Sequence, residues 1–169
     1  MKPSRGYESL RRFRSSLPHA EYFITRCTDQ RRTSLTNPTI ADTLRSEIAA
    51  IEQVGYWTIR GALIMPDHVH FLAVLHEKIS LGRAIARLKS KSNPSLKTVG
   101  LRWQGNYYEH QLRNDESVES VLHYIYLNPY RACLLAASES YPHFWLGEAE
   151  AAWFKAQLDD GHPFPEWLR

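Results

Sequence analysis

Two histidines that flank a single valine, His68 and His70, have the residue type and spacing of a metal-ligand pair. An apolar run follows them as far as Leu75, which is typical of a buried strand. In a strand, residues i and i+2 project from the same face, with their Cα atoms about 6.5 Å apart. Two imidazoles that project side by side can bind one metal ion. Most such pairs are ordinary surface or core histidines, so the pair alone predicts only half of a metal site.

A second candidate group lies in the segment 119–129, whose apolar spacing predicts a helix that starts near Asp115. Tyr124 and Asn128 are four positions apart in this segment, so they share one face of the helix. A polar face on an otherwise apolar helix needs a partner. The alternative is a simple helix end, in which Asn128 caps the C-terminus before Pro129 and Tyr124 is a half-buried aromatic. Taken alone, the two residues favour that alternative.

The rest of the pattern predicts the elements that hold these residues. Strands are predicted at 20–27, 56–64, 68–75 and 101–112, and a turn at 65–67 joins the second strand to the third. Helices are predicted to begin at Asn37-Pro38, Ser80 and Asp115, and to end at Gly55, Asn93-Pro94 and Pro129. The order β-α-β-β-α-β predicts an α+β ferredoxin-like split βαβ sandwich with an antiparallel sheet. Two helices cover one face, and the other face is free for a ligand or covered by the third helix.

Three segments of the chain together resemble one protein family. In order along the chain they are 65–70, 103–113 and 124–132. Their combination is similar to the REP-associated tyrosine transposases, which are single-tyrosine members of the His-hydrophobic-His (HUH) transposase superfamily. The resemblance covers residues 20–146, and one departure is Tyr130, where the family more often has a small aliphatic residue.

The resemblance assigns a role to each of the candidate residues. It implies that His68, His70 and Asn128 bind a divalent cation, Mg²⁺ or Mn²⁺. It implies that Tyr124 on the extra, catalytic helix is the nucleophile, with Tyr126 on another helix face as a second candidate. A phenol has a pKa of about 10, so such a nucleophile needs assistance at neutral pH. A divalent ion on the scissile phosphate would provide that assistance.

The activity implied by the resemblance is that of a metal-dependent single-strand DNA endonuclease and strand-transferase. Its substrate would be a REP-type palindromic hairpin, and cleavage would pass through a 5′-phosphotyrosine intermediate. One alternative is a non-catalytic, domesticated hairpin-binding protein of the same fold, which would need none of the four site residues. A replication or relaxase-type nickase would usually carry further domains. A metallohydrolase that uses metal-bound water would leave Tyr124 unexplained.

The charge distribution favours a polyanionic partner. The net charge is +3 and the isoelectric point is about 8.9, with basic residues concentrated before residue 103 and acidic residues after 134. Candidate DNA contacts are the N-terminal residues Arg5, Arg11, Arg12 and Arg14, the helical stripe Arg83, Arg87 and Lys91, and the pair His110 and Arg113. Solvated surface charge is the alternative for any one of them. Trp103, in contrast, is expected to fill the core.

The length of 169 residues fits one domain with additions at its ends. We divide it into a basic N-terminal arm at 1–19, the HUH catalytic domain at 20–133, and a C-terminal extension at 134–169 that packs on the domain, with one helix near 147–158. The two cysteines predict no disulfide framework, and no apolar run approaches a membrane span. We therefore expect a cytoplasmic protein without a membrane partner, and the sequence leaves both a monomer and a homodimer open.

Overall fold

The computed structural model describes residues 16–156 and residue 158. The described residues form five strands, four α-helices and one short 3₁₀ turn. The elements are β1 (Glu21–Cys27), the 3₁₀ turn (Asp29–Arg31), α1 (Pro38–Gln53), β2 (Trp57–Ile64), β3 (His68–Leu75), α2 (Leu81–Thr98), β4 (Tyr108–Gln111), α3 (Val118–Arg131), β5 (Phe144–Leu146) and α4 (Glu148–Ala151). No helix in the described part of the chain combines the length and apolarity needed to span a bilayer.

The strands form one antiparallel sheet in the order β4-β1-β3-β2-β5. The hairpin of β2 and β3 and the pairing of β1 with β3 place His68 and His70 on the central strand of the sheet. Helices α1 and α2 connect the strands as crossovers. This architecture confirms the predicted α+β ferredoxin-like sandwich.

The two faces of the sheet carry separate cores because side chains alternate along each strand. On β3, Val69 and Phe71 belong to the larger core beneath α1 and α2. Leu72 points the other way, into the smaller core beneath α3. His68 and His70 lie four and two positions before Leu72 on the same strand. Their rings therefore project from the same face as Leu72, which is the face that α3 covers. The third helix therefore covers the second face, which was one of the two predicted arrangements.

Helix α1 begins and ends close to the residues that the sequence predicts. The side chain of Asn37 accepts a hydrogen bond from the backbone N–H of Thr39, and Pro38 occupies the first helical position. Gly55 lies just beyond the helix with a φ of 70°, a conformation that glycine adopts without steric cost. These local signals explain why both ends of α1 were predictable.

Both proline-based predictions of helix ends were wrong, since α2 continues through Pro94 to Thr98 and α3 continues through Pro129 to Arg131. A proline inside a helix removes one backbone hydrogen bond. The helix still continues where later residues keep their contacts. Leu96 after the first proline is fully buried, and the hydroxyl of Tyr130 after the second lies 3.3 Å from that of Tyr126 one turn earlier.

Two further predictions need correction in extent. The strand expected at 101–112 is confined to Tyr108–Gln111, while Trp103 forms only an isolated antiparallel bridge with Thr28 and buries its side chain in the core. Its indole N–H donates to the Ser92 hydroxyl at 2.9 Å, which confirms the expected core role. The helix expected near 147–158 is only the four residues of α4.

The chain after Cys133 contributes β5, which pairs with β2 at the sheet edge, and α4, where Glu150 accepts a hydrogen bond from Arg60. The division at residue 133 stays a prediction. Most of the predicted arm at 1–19 lies outside the described residues.

Candidate active site

The rings of His68 and His70 converge at one end of β3. Their Nε2 atoms are 3.0 Å apart and their ring centroids 4.5 Å apart. Both residues are nearly inaccessible, at 7% and 4% of their full exposure. The strand geometry predicted from the spacing is therefore present, and it directs both rings toward α3.

Each imidazole is held at its other nitrogen by a neighbouring side chain. The Asp67 carboxylate lies 2.6 Å from Nδ1 of His68, and the Thr25 hydroxyl lies 2.8 Å from Nδ1 of His70. Such contacts fix the orientation of a histidine and select its tautomer. Both Nε2 atoms are thereby left to face each other. Neither Asp67 nor Thr25 is among the site residues predicted from the sequence.

Burial controls the charge of both histidines. It lowers the pKa of His68, although the hydrogen bond and the charge of Asp67 act in the opposite direction. Burial lowers the pKa of His70 well below its ordinary value, and the adjacent His68 and Arg31 lower it further. Both rings are therefore neutral at neutral pH, which is the protonation state of a metal ligand.

Helix α3 brings the second candidate group to the same place. The helix begins at Val118 rather than at the predicted Asp115, and Ser117 caps it by accepting a hydrogen bond from the backbone N–H of Ser120. The buried Leu122 and Ile125 anchor it to the sheet. On its sheet-facing side, the Tyr124 ring lies 5.7 Å from that of His70, centroid to centroid.

Asn128 lies one turn after Tyr124, and its amide N–H donates to the Tyr124 carbonyl at 2.7 Å. It also forms a side-chain hydrogen bond with His70, which raises the pKa of that ring slightly against the larger effect of burial. The helix ends after Arg131 with Ala132 as its cap. Asn128 therefore does not cap the C-terminus of the helix, which was the alternative to a role in the site.

These residues line one cavity of about 300 Å³. The lining residues are Phe23, Thr25, Arg31, His68, His70, Tyr108, Tyr124 and Asn128. The structure thus brings together the four predicted site residues, which lie on two distant segments of the sequence. Arg31 is not among the site residues predicted from the sequence, although its ion-pair partner Asp67 directly precedes His68 in the predicted motif.

The other tyrosine on α3 lies apart from this cavity. Tyr126 packs against Phe144 and Phe154, with its hydroxyl beside that of Tyr130. Burial, followed by the hydrogen bond with Tyr130, raises the pKa of Tyr126 to about 12. Such a phenol is harder to ionise than an ordinary tyrosine, and its position does not favour the role of second nucleophile.

The predicted DNA contacts occupy different parts of the molecule. Arg83, Arg87 and Lys91 are exposed on α2, across the sheet from the cavity. Nε2 of His110 lies 2.8 Å from the Glu116 carboxylate, and Arg113 is exposed nearby. Arg5, Arg11, Arg12 and Arg14 lie outside the described residues. Tyr108, half-exposed at the cavity rim, is an aromatic neighbour of the site.

The chain belongs to the IS200-like transposase family, whose model matches residues 16–128. Among solved structures it is similar to a REP-associated tyrosine transposase bound to a REP hairpin, with a TM-score of 0.70, 20% identity and 98% of each chain covered. It is also similar to a putative transposase from Deinococcus radiodurans R1, with a TM-score of 0.49, 22% identity, and coverage of 81% of this chain and 100% of the other. No curated protein matches the sequence. The predicted family resemblance is confirmed.

Proposed function

We propose that this transposase-family protein is a divalent-metal-dependent single-strand DNA endonuclease and strand-transferase, with Tyr124 as its nucleophile. The observation that carries the proposal is the convergence of Tyr124 and Asn128 with His68 and His70 in one cavity. A protein that only binds DNA has no need of a neutral histidine pair beside a tyrosine. The motif order and the family membership support the same activity.

The donor set fits a divalent cation. His68 and His70 are neutral, and their Nε2 atoms are 3.0 Å apart. Adjacent ligands on an octahedral ion with bonds of about 2.1 Å are separated by about 3.0 Å. Among the described residues no cluster of three His, Cys, Asp or Glu side chains is suited to a metal ion, so the amide oxygen of Asn128 would be the third protein ligand. When bound, Mg²⁺ or Mn²⁺ would polarise the scissile phosphate and offset charge in the transition state.

The proposed reaction exchanges one phosphodiester bond for another. The Tyr124 oxygen attacks phosphorus, the bond from phosphorus to the 3′ oxygen breaks, and the phenol loses a proton while the leaving 3′ oxygen gains one. No water is consumed, so the 5′-phosphotyrosine retains the energy of the original bond. A free 3′-hydroxyl can therefore reverse the step and join a DNA end.

We propose a REP-type palindromic hairpin with single-stranded flanks as the substrate. The solved structure with a TM-score of 0.70 is that of a transposase bound to a REP hairpin, which supports this choice. Tyr108 presents its ring at the cavity rim, where it would stack a base of the single strand. The basic stripe of Arg83, Arg87 and Lys91 lies on the opposite face and would contact only DNA that wraps around the sheet edge.

The decisive experiment is a covalent-adduct assay. A hairpin oligonucleotide labelled at its 3′ end is incubated with the protein and Mg²⁺ or Mn²⁺, then separated under denaturing conditions. The label is expected to migrate with the wild-type protein. Tyr124→Phe is expected to bind the hairpin without forming the adduct, because the ring contacts remain while the attacking oxygen is removed.

Tyr126→Phe is the matched control, since it removes a hydroxyl from the same helix away from the cavity, and it is expected to form the adduct normally. Hairpin binding by the wild-type protein with no adduct in either metal would favour the non-catalytic alternative. A full yield of adduct from Tyr124→Phe would refute the assignment of the nucleophile.

A further inference from the structure

Among the described residues, Arg31 is the one arginine or lysine that lines the candidate cavity. It lies in the 3₁₀ turn after β1, where Gln30 and Arg31 both have a φ of 54°, in the left-handed region. Residues other than glycine rarely adopt this conformation, and those that do are concentrated at functional sites. The following residue, Arg32, instead donates to the Gly100 carbonyl. The turn therefore separates two adjacent arginines and brings only the first to the site.

The guanidinium of Arg31 is held on two sides. Its Nε donates to the Asp67 carboxylate at 2.9 Å, and its Nη1 donates to the Cys27 sulfur at 2.7 Å. A guanidinium has five N–H donors in a fixed plane, and these two contacts use two of them. The side chain remains 53% exposed. The guanidinium is thus oriented before a ligand binds, and its other N–H groups are available to donate hydrogen bonds to that ligand.

This arginine is also the source of fixed positive charge in the cavity wall, since no other arginine or lysine of the described residues lines it. Asp67 shares its negative charge between His68 and Arg31, with one carboxylate oxygen for each. A planar, pre-oriented guanidinium is suited to the paired oxygens of a phosphodiester.

We propose that Arg31 binds the non-bridging oxygens of the phosphodiester that Tyr124 attacks. The inference rests on the proposed function, since it assigns the position of the substrate within that site. Arg31 holds the phosphate beside Tyr124 while the new bond to phosphorus forms and the bond to the 3′ oxygen breaks. The contact precedes the chemistry, so it is measurable as binding without cleavage.

The test measures DNA binding in a Tyr124→Phe background with EDTA present. The probe is a REP-type hairpin oligonucleotide with single-stranded flanks, and its dissociation constant is measured over a range of salt concentrations. Arg31→Gln is expected to weaken binding about tenfold and to reduce the slope of log K against log salt by about 0.7, the value for one contact to a single strand. Arg32→Gln is the matched control and is expected to leave the slope unchanged.

The outcomes distinguish two roles of Arg31: direct contact with the phosphate, and positioning of Asp67 through their ion pair. If Arg31→Gln slows adduct formation in the Tyr124-containing protein but leaves the salt slope intact, Arg31 acts only through Asp67 and the inference is overturned. If the slope falls as expected while the wild-type protein forms no adduct, the proposed function fails and the phosphate contact stands.

A second variant covers the case in which Arg31→Gln does not fold. Arg31→Lys keeps the charge but not the planar fork, so it is expected to weaken binding severalfold while retaining the slope. The same comparison is made with an oligonucleotide that carries a neutral methylphosphonate at the cleavage position. The Arg31→Lys variant is expected to bind the methylphosphonate DNA as tightly as the Tyr124→Phe protein with Arg31 does. An equal loss of affinity for both oligonucleotides would overturn the inference.

Discussion

Thr25 lies directly opposite His70 in the pairing of β1 with β3, and its hydroxyl is 2.8 Å from Nδ1 of that histidine. The threonine hydroxyl can accept the Nδ1 proton and so leave the lone pair of Nε2 available toward the cavity. Asp67 does the same for His68. Both candidate ligands are thus oriented by side chains from outside the His-x-His motif.

Thr25→Val is expected to weaken the binding of Mn²⁺ by about tenfold to a hundredfold and to slow adduct formation, because the shape is kept while the hydrogen bond to His70 is lost. The affinity is measured by calorimetric titration with the purified protein. The matched control is Thr58→Val, which removes a similar contact of 2.9 Å to His76 at the other end of the hairpin. Equal effects of the two substitutions would contradict a specific role for Thr25.

His68→Ala is expected to abolish adduct formation in Mg²⁺ or Mn²⁺, since it removes one of the two imidazoles at the proposed metal site. Treatment of the wild-type protein with EDTA should give the same loss, and added metal should reverse it only in the wild type. His76→Ala, at the opposite end of the sheet, is the control and should retain activity. Undiminished adduct formation by His68→Ala would remove the metal from the mechanism.

The raised pKa of Tyr126, about 12, predicts a pH dependence of stability. Because this pKa lies above that of an unfolded tyrosine, the stabilisation is complete below about pH 10 and declines as the pH rises toward the folded value. Tyr126→Phe should therefore lose less free energy of unfolding than the wild type between about pH 10 and pH 12. Urea denaturation at a series of pH values measures this difference, and parallel curves for the two proteins would argue against the shift.

The sequence predicted best which side chains lie together when they are only two to four positions apart on one strand or helix. His68 with His70, and Tyr124 with Asn128, each share a face because strand and helix periodicities are local. The relation of Thr25 to His70 depends on strand register, which forms between segments 45 residues apart. The path of Arg31 into the cavity depends on an uncommon backbone conformation that its sequence does not signal. The helix ends predicted at Pro94 and Pro129 were wrong because the contacts of Leu96 and Tyr130 beyond the prolines outweigh one lost hydrogen bond.

Gly61 on β2 permits the close approach of α3 to the sheet. A Cβ atom at this position would lie 2.6 Å from a methyl carbon of Leu122 and 3.3 Å from one of Leu146. Leu122 is fully buried and belongs to the core that anchors α3. A side chain at position 61 must therefore shift the Leu122 side chain or the helix that carries Tyr124, so the glycine couples the packing of the sheet to that of the helix with the candidate nucleophile.

Gly61→Ala is accordingly expected to lower the free energy of unfolding by about 1–3 kcal/mol, the usual cost of overpacking a core, and to slow adduct formation. Gly105→Ala is the control, because a Cβ atom there would meet nothing within 4 Å. Combining Gly61→Ala with Leu122→Ala should cost less than the sum of the two single substitutions, since the smaller residue accommodates the new methyl group. Denaturation of the four proteins of this cycle measures the coupling. Strict additivity would show that Leu122 is not the residue that Gly61 accommodates.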